Sequence, residues 1–106
     1  MIARKQVWEQ LKTVMDPELG INIVDLGLIY NVRVKTKDKR QKIVITMTLT
    51  TPGCPLASVI DRMVKEAVVE IPGLEEEDVV TELVWDPPWT EEMMSEEARL
   101  QLGMLE

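Results

Sequence analysis

The 106-residue sequence contains no histidine and a single cysteine, Cys54. Without histidine the chain can form neither a Ser-His nor a Cys-His catalytic pair, and it cannot bind a metal ion through imidazole. One cysteine allows no disulfide within the chain and cannot supply the four thiolates of an all-cysteine metal site. A metal ion would therefore need oxygen ligands, a partner protein or a second copy of the chain.

Long apolar runs are also missing, since none approaches the roughly 18 residues that span a bilayer. The charged start of the chain lacks the apolar centre of a secretory signal, and a lone thiol is typical of a reducing compartment. The glycines form neither a phosphate-binding P-loop nor a G-x-G-x-x-G fingerprint. We therefore expect a cytoplasmic protein that uses no nucleotide and has no membrane partner.

The charge is unevenly distributed along the chain, whose net formal charge is -7. Residues 1–53 carry 9 basic and 5 acidic side chains, a net charge of +4, whereas residues 54–106 carry 3 basic and 14 acidic ones, a net charge of -11. The acidic clusters are typical of solvated turns and first helical turns. The five basic residues of segment 35–42 resemble a nucleic-acid patch, but no aromatic residues separate them and the net charge argues against nucleic acid as a partner.

Apolar periodicity predicts six elements in the order α-β-β-α-β-α. Apolar spacings of three and four residues in two segments, and a serine cap before a third, predict helices over 2–14, 56–71 and 95–102. Two-residue alternation predicts strands over 28–35, 43–50 and 79–85.

The connections between these elements predict the sheet. The polar segment 35–42 indicates a hairpin turn, which makes the first two strands antiparallel. The helix between the second and third strands predicts a right-handed, parallel β-α-β unit. The predicted fold is therefore α+β, a small mixed three-stranded sheet packed with helices, and the whole chain, 1–106, is expected to form one domain.

Cys54 lies in a short link between the second strand and the longest helix. Pro55 suits the first position of that helix, so Cys54 falls at or next to the N-cap, where the positive helix end favours a thiolate. Gly53 leaves the sulfur unshielded by a neighbouring side chain. A thiolate can bind metal or attack an electrophile, whereas a free cysteine often serves as a small buried apolar residue. From the residues alone, both interpretations stay open.

Three carboxylates, Asp16, Glu18 and Asp25, lie in the loop that follows the first helix. They can serve as a helix stop and a turn cap. If they instead converge on Cys54, they would raise the pKa of its thiol unless a cation joined them. Oxygen and sulfur ligands together would suit a transition metal that is held transiently.

Trp89 follows the rigid sequence Asp86-Pro87-Pro88. Its ring can pack against the sheet and dock the last helix. Tryptophan is also a common anchor of protein interfaces, so a contact with a partner protein is the alternative.

Four motifs together resemble a known family: D-P-E-L-G at 16–20, I-V-D-L-G-L-I-Y at 23–30, T-T-P-G-C-P at 50–55 and D-P-P-W at 86–89. They are similar to motifs of the iron–sulfur cluster assembly domain family, with its SufT-like and PaaD-like members. The similarity extends in the same order from about residue 7 to residue 103.

This resemblance implies a compact α/β domain that takes part in iron–sulfur cluster assembly or delivery. The implied partners are carrier or scaffold proteins of the assembly machinery and apo client proteins, and the implied cargo is iron or a transiently bound cluster. The positions that match the family's motif residues are Asp16, Glu18, Asp25, Thr51, Pro52, Gly53 and Cys54. Cys54 would be the metal ligand or the thiol of a partner contact.

Two departures from the family narrow the implied role. The P-loop ATPase domain of the carrier relatives is absent from this sequence, and so is the cysteine-rich C-terminal segment of PaaD-like members. We therefore expect a non-catalytic assembly factor without an oxygenase-specific role. One thiol cannot hold a cluster alone, so a bound cluster would bridge a homodimer or a partner.

Two other functions stay open. Cys54 could be the nucleophile of a thiol-dependent transferase or redox enzyme, although the chain lacks a histidine base and a resolving cysteine. The chain could also be an interaction module recognised through Trp89 and its acidic half.

Overall fold

The elements of the fold are seen in a computed structural model, which describes residues 2–17, 19–50 and 57–103. Helices α1, α2 and α3 span Arg4–Leu11, Ala57–Val68 and Glu96–Gln101. Strands β1, β2 and β3 span Ile29–Lys37, Arg40–Met47 and Val79–Leu83. Two short 3-10 turns span Glu76–Asp78 and Glu91–Met93. The predicted order of helices and strands is confirmed.

The three strands form one mixed sheet in the order β1-β2-β3. β1 and β2 pair antiparallel through their hairpin. β2 and β3 pair parallel, with Ile43 opposite Val79 and Met47 opposite Leu83, because α2 carries the chain back between them. Both predicted pairings and the α+β fold are confirmed.

The apolar core lies between the sheet and the helices, with α1 against α2 and β1, and α2 against β3. β2 is the central strand, so both of its edges are paired. Ile43 and Ile45 are fully buried on the core face, whereas on the other face Val44 is 8% exposed and Lys42 is exposed. The helix α2 contributes a stripe at four-residue spacing, formed by Ile60, Val64 and Val68. Within the described ranges, no helix combines the length and apolarity that crossing a membrane requires.

The first helix ends three residues before its predicted end at Val14. Pro17 disfavours helix in the residue before it, and the chain instead turns and pairs with the loop that follows. The carbonyl of Val14 accepts a hydrogen bond from the Ile23 amide at 2.9 Å, and Met15 pairs antiparallel with Asn22. Met15 is consequently 49% exposed and does not belong to the buried stripe.

The predicted hairpin is present, but the prediction that its turn spans 35–42 is wrong. The turn consists of Asp38 and Lys39 alone, at φ 51° and 68°, and the strands continue on both sides, with Lys37 opposite Arg40. Two successive positive φ values are typical of the type I′ hairpin turn. The polarity of this segment reflects its exposure to water, because backbone pairing does not depend on apolar side chains.

The remaining described boundaries differ by at most three residues. β2 ends at Met47 and not at residue 50, and α2 ends at Val68 and not at residue 71. β3 ends at Leu83, so Trp85 lies beyond the strand and is 41% exposed. The predicted start of the second helix at residue 56 lies outside the described residues.

An ion-pair cluster joins the hairpin to the turn before β3. The Arg40 guanidinium lies 2.7 Å from a carboxylate oxygen of Asp78, 3.2 Å from Glu77 and 3.4 Å from Glu75. The Asp78 side chain is 4% exposed, and one of its oxygens accepts the Glu75 amide at 3.0 Å. That backbone hydrogen bond, followed by the Arg40 contact, holds the pKa of Asp78 below its usual value. Three acidic residues of the C-terminal half thus form ion pairs with a basic residue of the hairpin.

Replacing Lys39 with glycine is expected to stabilise the protein. Glycine adopts a φ near +68° without the steric cost that a side chain meets there, so we expect a gain of about 0.5–1 kcal/mol. Thermal unfolding followed by circular dichroism should show a Tm that is higher by a few degrees. Lys37→Gly, within β1, is the control and should lower Tm. A lower Tm for Lys39→Gly contradicts the turn geometry.

The variant Asp78→Asn is expected to unfold more easily than the wild type at neutral pH. A carboxylate whose folded pKa lies below its unfolded value of about 3.9 stabilises the fold above that value, and the contribution disappears as pH falls through the folded pKa. Urea unfolding from about pH 7 down to about pH 2 should therefore show the two proteins converging in acid. Glu76 does not contact Arg40, so the variant Glu76→Gln should lose less free energy of unfolding. A difference that stays constant with pH refutes this assignment.

Candidate functional site

The motif loop, which we define as residues 22–28, connects the Met15–Asn22 pairing to β1. It forms a compact turn, in which the amides of residues 26–28 donate to carbonyls of residues 22–24 over 3.0–3.1 Å. Its apolar side chains Ile23, Leu26 and Leu28 are fully buried in the core. The loop is therefore held both by its own hydrogen bonds and by burial.

Asp16 begins the tight reversal that leads into the motif loop. Its amide donates to the Ile21 carbonyl at 2.9 Å, and its carbonyl accepts from the Gly20 amide at 2.8 Å. One carboxylate oxygen accepts from the Leu19 amide at 3.1 Å, and the residue is only 7% exposed. The Asp16 carboxylate thus stabilises this turn, which is a structural role for the residue.

Asn22 orients Asp25. The Asn22 side-chain amide donates to Oδ2 of Asp25 at 2.6 Å, and its carbonyl oxygen accepts from the Asp25 amide at 2.9 Å. Within the described residues, this leaves Oδ1 of the half-buried Asp25 available as a ligand. Asn22 was not among the predicted site residues. The N-x-x-D spacing is the signal that could have indicated it, because asparagine at such positions bonds the nearby backbone.

The structure brings Asp16 and Asp25 onto one loop, on either side of Asn22. The other predicted motif residues, Glu18, Thr51, Pro52, Gly53 and Cys54, lie outside the described residues, and their roles stay predictions. The motif loop is bonded to the residues that follow β2 and precede them in the sequence, since the Thr48 amide donates to the Leu28 carbonyl at 2.9 Å.

A cavity of about 280 Å³ lies where β2, β3 and the first turn of α2 meet. The carboxyl ends of parallel strands, beside a helix start, are a frequent place for ligands in α/β folds. Its polar groups are partly engaged, since the Thr81 hydroxyl donates to Asp61, which also lies 3.3 Å from Lys65. The lining is mainly apolar and includes Met47, Leu49, Ala57, Ile60 and Leu83.

Trp89 packs against the core, and its indole N–H donates to the Leu26 carbonyl at 2.7 Å. This contact supports the interpretation that Trp89 docks the end of the chain. The predicted cap of the last helix is confirmed, because the Ser95 hydroxyl accepts from the Ala98 amide at 3.1 Å. A contact between Trp89 and a partner protein stays a prediction.

Gly27 lies directly against the main chain of Met93. Its φ is +81°, and a β-carbon built there would overlap the main-chain oxygen of Met93 and lie 2.8 Å from its carbonyl carbon. Glycine is therefore required here for two reasons, its backbone conformation and the space available. Tyr30 strengthens the same junction, because its hydroxyl donates to the Pro87 carbonyl at 2.7 Å.

Outside residues 1, 18, 51–56 and 104–106, which the structure does not describe, no three acidic side chains converge in a way that could hold a metal ion. The donors that can be assessed are the Asp16 and Asp25 carboxylates. Oxygen donors of this kind fit iron, and a thiolate would complete a mixed oxygen–sulfur set.

Residues 4–80 match the family model described as "Iron-sulfur cluster assembly protein". The chain belongs to this family, and the resemblance drawn from its motifs is confirmed.

Two relatives and one solved structure extend this result. The chain is 44% identical over 101 residues to "Fe-S protein maturation auxiliary factor YitW" of Bacillus subtilis, covering 95% of this chain and 94% of that protein. It is 46% identical over 91 residues to "Fe-S protein maturation auxiliary factor SufT" of Staphylococcus aureus, covering 86% and 98%. The crystal structure of a domain of unknown function from Bacillus anthracis has a TM-score of 0.81 at 41% identity, covering 95% and 92%.

The variant Gly27→Ala is expected to be strongly destabilised, by roughly 3 kcal/mol or more, because a positive φ and a steric overlap act together. Gly20→Ala is the matched control, since Gly20 has a φ of +69° but no atom within 4 Å of the built β-carbon. It should lose only about 1 kcal/mol. Urea unfolding measures both, and equal losses would contradict the close Gly27–Met93 contact.

Proposed function

We propose that this protein assists iron–sulfur cluster assembly or maturation by helping to deliver iron or a cluster to apo proteins. Cys54 is the metal-binding thiolate in this proposal. The proposal also assigns the carboxylates of Asp16, Glu18 and Asp25, together with Thr51, to this site. Iron or the cluster is cargo, bound transiently and passed on.

The observation that carries this proposal is the orientation of Asp25. The Asn22 side-chain amide donates to this carboxylate at 2.6 Å. The loop that carries it is bonded to Thr48, which follows β2 and lies six residues before Cys54 in the sequence. A carboxylate fixed in advance loses little conformational freedom when it binds a cation. Both relatives are named as Fe-S protein maturation auxiliary factors, which supports the same function.

The proposal requires a second molecule. Clusters are held by about four ligands, mainly thiolates, and one chain offers a single thiol. The second molecule is either another copy of this chain or a carrier or scaffold protein of the assembly machinery. The receiving partner is an apo client protein.

In this proposal the protein is an accessory factor that catalyses no reaction of its own. The chain has no histidine to act as a general base for Cys54. A lone thiol stays reduced in the cytoplasm, which is the compartment where we propose that the protein acts.

Anaerobic reconstitution with iron(II) and sulfide tests the proposal. The wild type should bind iron and sulfide and develop visible absorbance, and Cys54→Ser should bind much less iron and sulfide and develop little absorbance. Asp25→Asn should weaken iron binding by roughly tenfold, the effect expected when one group of a metal site is altered.

Asp38→Asn is the matched control for Asp25→Asn. It makes the same change of charge at an exposed position of the hairpin turn. This variant should bind as much iron and sulfide as the wild type. Equal and negligible iron in the wild type and Cys54→Ser would refute the metal-binding role of Cys54.

A further inference from the structure

The C-terminal segment, which we define as residues 84–95, contacts three consecutive residues of the motif loop. The Ser95 amide donates to the Asp25 carbonyl at 2.7 Å, and the Trp89 indole donates to the Leu26 carbonyl at 2.7 Å. The main chain of Met93 lies directly against Gly27. Each of the residues 25–27 is thus held from outside the loop.

Of these three contacts, the hydrogen bond from the Trp89 indole N–H is the one that a side chain makes. The Leu26 side chain is fully buried, and the bond to its carbonyl is partly shielded from water. Removing the donor would leave that carbonyl without its partner, which costs more than the loss of an exposed hydrogen bond. Trp85, four residues earlier, is 41% exposed and makes no such bond in the described part of the chain.

These contacts come from residues beyond the part of the chain that matches the family model, which ends at residue 80. The motif loop belongs to the matched part, and the segment that holds it does not. The loop's own amide bonds at residues 26–28 close the turn, and main-chain bonds of Ile23 to Val14 and of Leu28 to Thr48 tie its two ends to the fold. For residues 25–27, between those ends, the C-terminal segment supplies the main-chain contacts from outside the loop.

We propose that the C-terminal segment is a clamp that sets the backbone of the motif loop, with Trp89 as its positioning residue. Through residues 25–27 the clamp orients the Asp25 carboxylate toward the cargo. The role of Asp25 rests on the proposed function, whereas the clamp itself can be tested in the metal-free protein.

Hydrogen exchange in the metal-free protein tests the clamp. Trp89→Phe keeps an aromatic ring and removes the N–H donor, so exchange at the amides of residues 26–28 should accelerate by about tenfold. Trp85→Phe is the matched control and should leave these amides unchanged. Acceleration that is equal across all elements, or none at residues 26–28, would overturn the proposal.

A double-mutant cycle on iron(II) affinity separates positioning from general stability. Trp89→Phe should weaken iron binding several-fold when Asp25 is present and have little effect in the Asp25→Asn background. Additive effects would overturn the positioning role. Altered binding of a partner protein by Trp89→Phe, with unchanged exchange, would instead assign Trp89 to an interface and overturn the clamp.

The two proposals can fail separately. A wild type that binds no iron contradicts the proposed function, and the exchange result then decides the clamp alone. Iron binding that depends on Cys54, together with unchanged exchange in Trp89→Phe, supports the function and overturns the clamp.

Discussion

The close approach of the Met93 main chain to Gly27 is the constraint on which the rest of the site depends. Only a residue without a β-carbon allows this approach. It brings the C-terminal residues near enough for Trp89 to reach the Leu26 carbonyl and for Ser95 to reach the Asp25 carbonyl. The same Ser95 caps the last helix, so the site and the end of the fold are built as one unit.

The described parts of the proposed site come from two regions that are distant in sequence. The motif loop contributes a carboxylate oriented by Asn22, and residues 84–95 contact the loop from outside. Such an arrangement suits a protein that binds cargo transiently. The carboxylate is set in advance, while a single thiol leaves room for ligands from a second molecule.

Local patterns predicted the element order, the hairpin and the Ser95 cap, because each depends on neighbours in the sequence. The parallel pairing of β2 with β3 followed from the general rule for β-α-β connections. Local patterns failed at 35–42, since an exposed two-stranded ribbon has the same polar composition as a turn. The motif resemblance indicated Asp25, but the clamp on residues 25–27 could not be predicted. Those contacts join residues more than 60 positions apart, and no local pattern contains such information.

X-ray absorption spectroscopy of the iron-loaded protein tests the central claim most directly, because it counts the sulfur and oxygen atoms bound to iron. The account predicts mixed sulfur and oxygen ligation in the wild type. It also predicts fewer sulfur neighbours in Cys54→Ser and fewer oxygen neighbours in Asp25→Asn. Iron spectra that are the same in the wild type and both variants would contradict it.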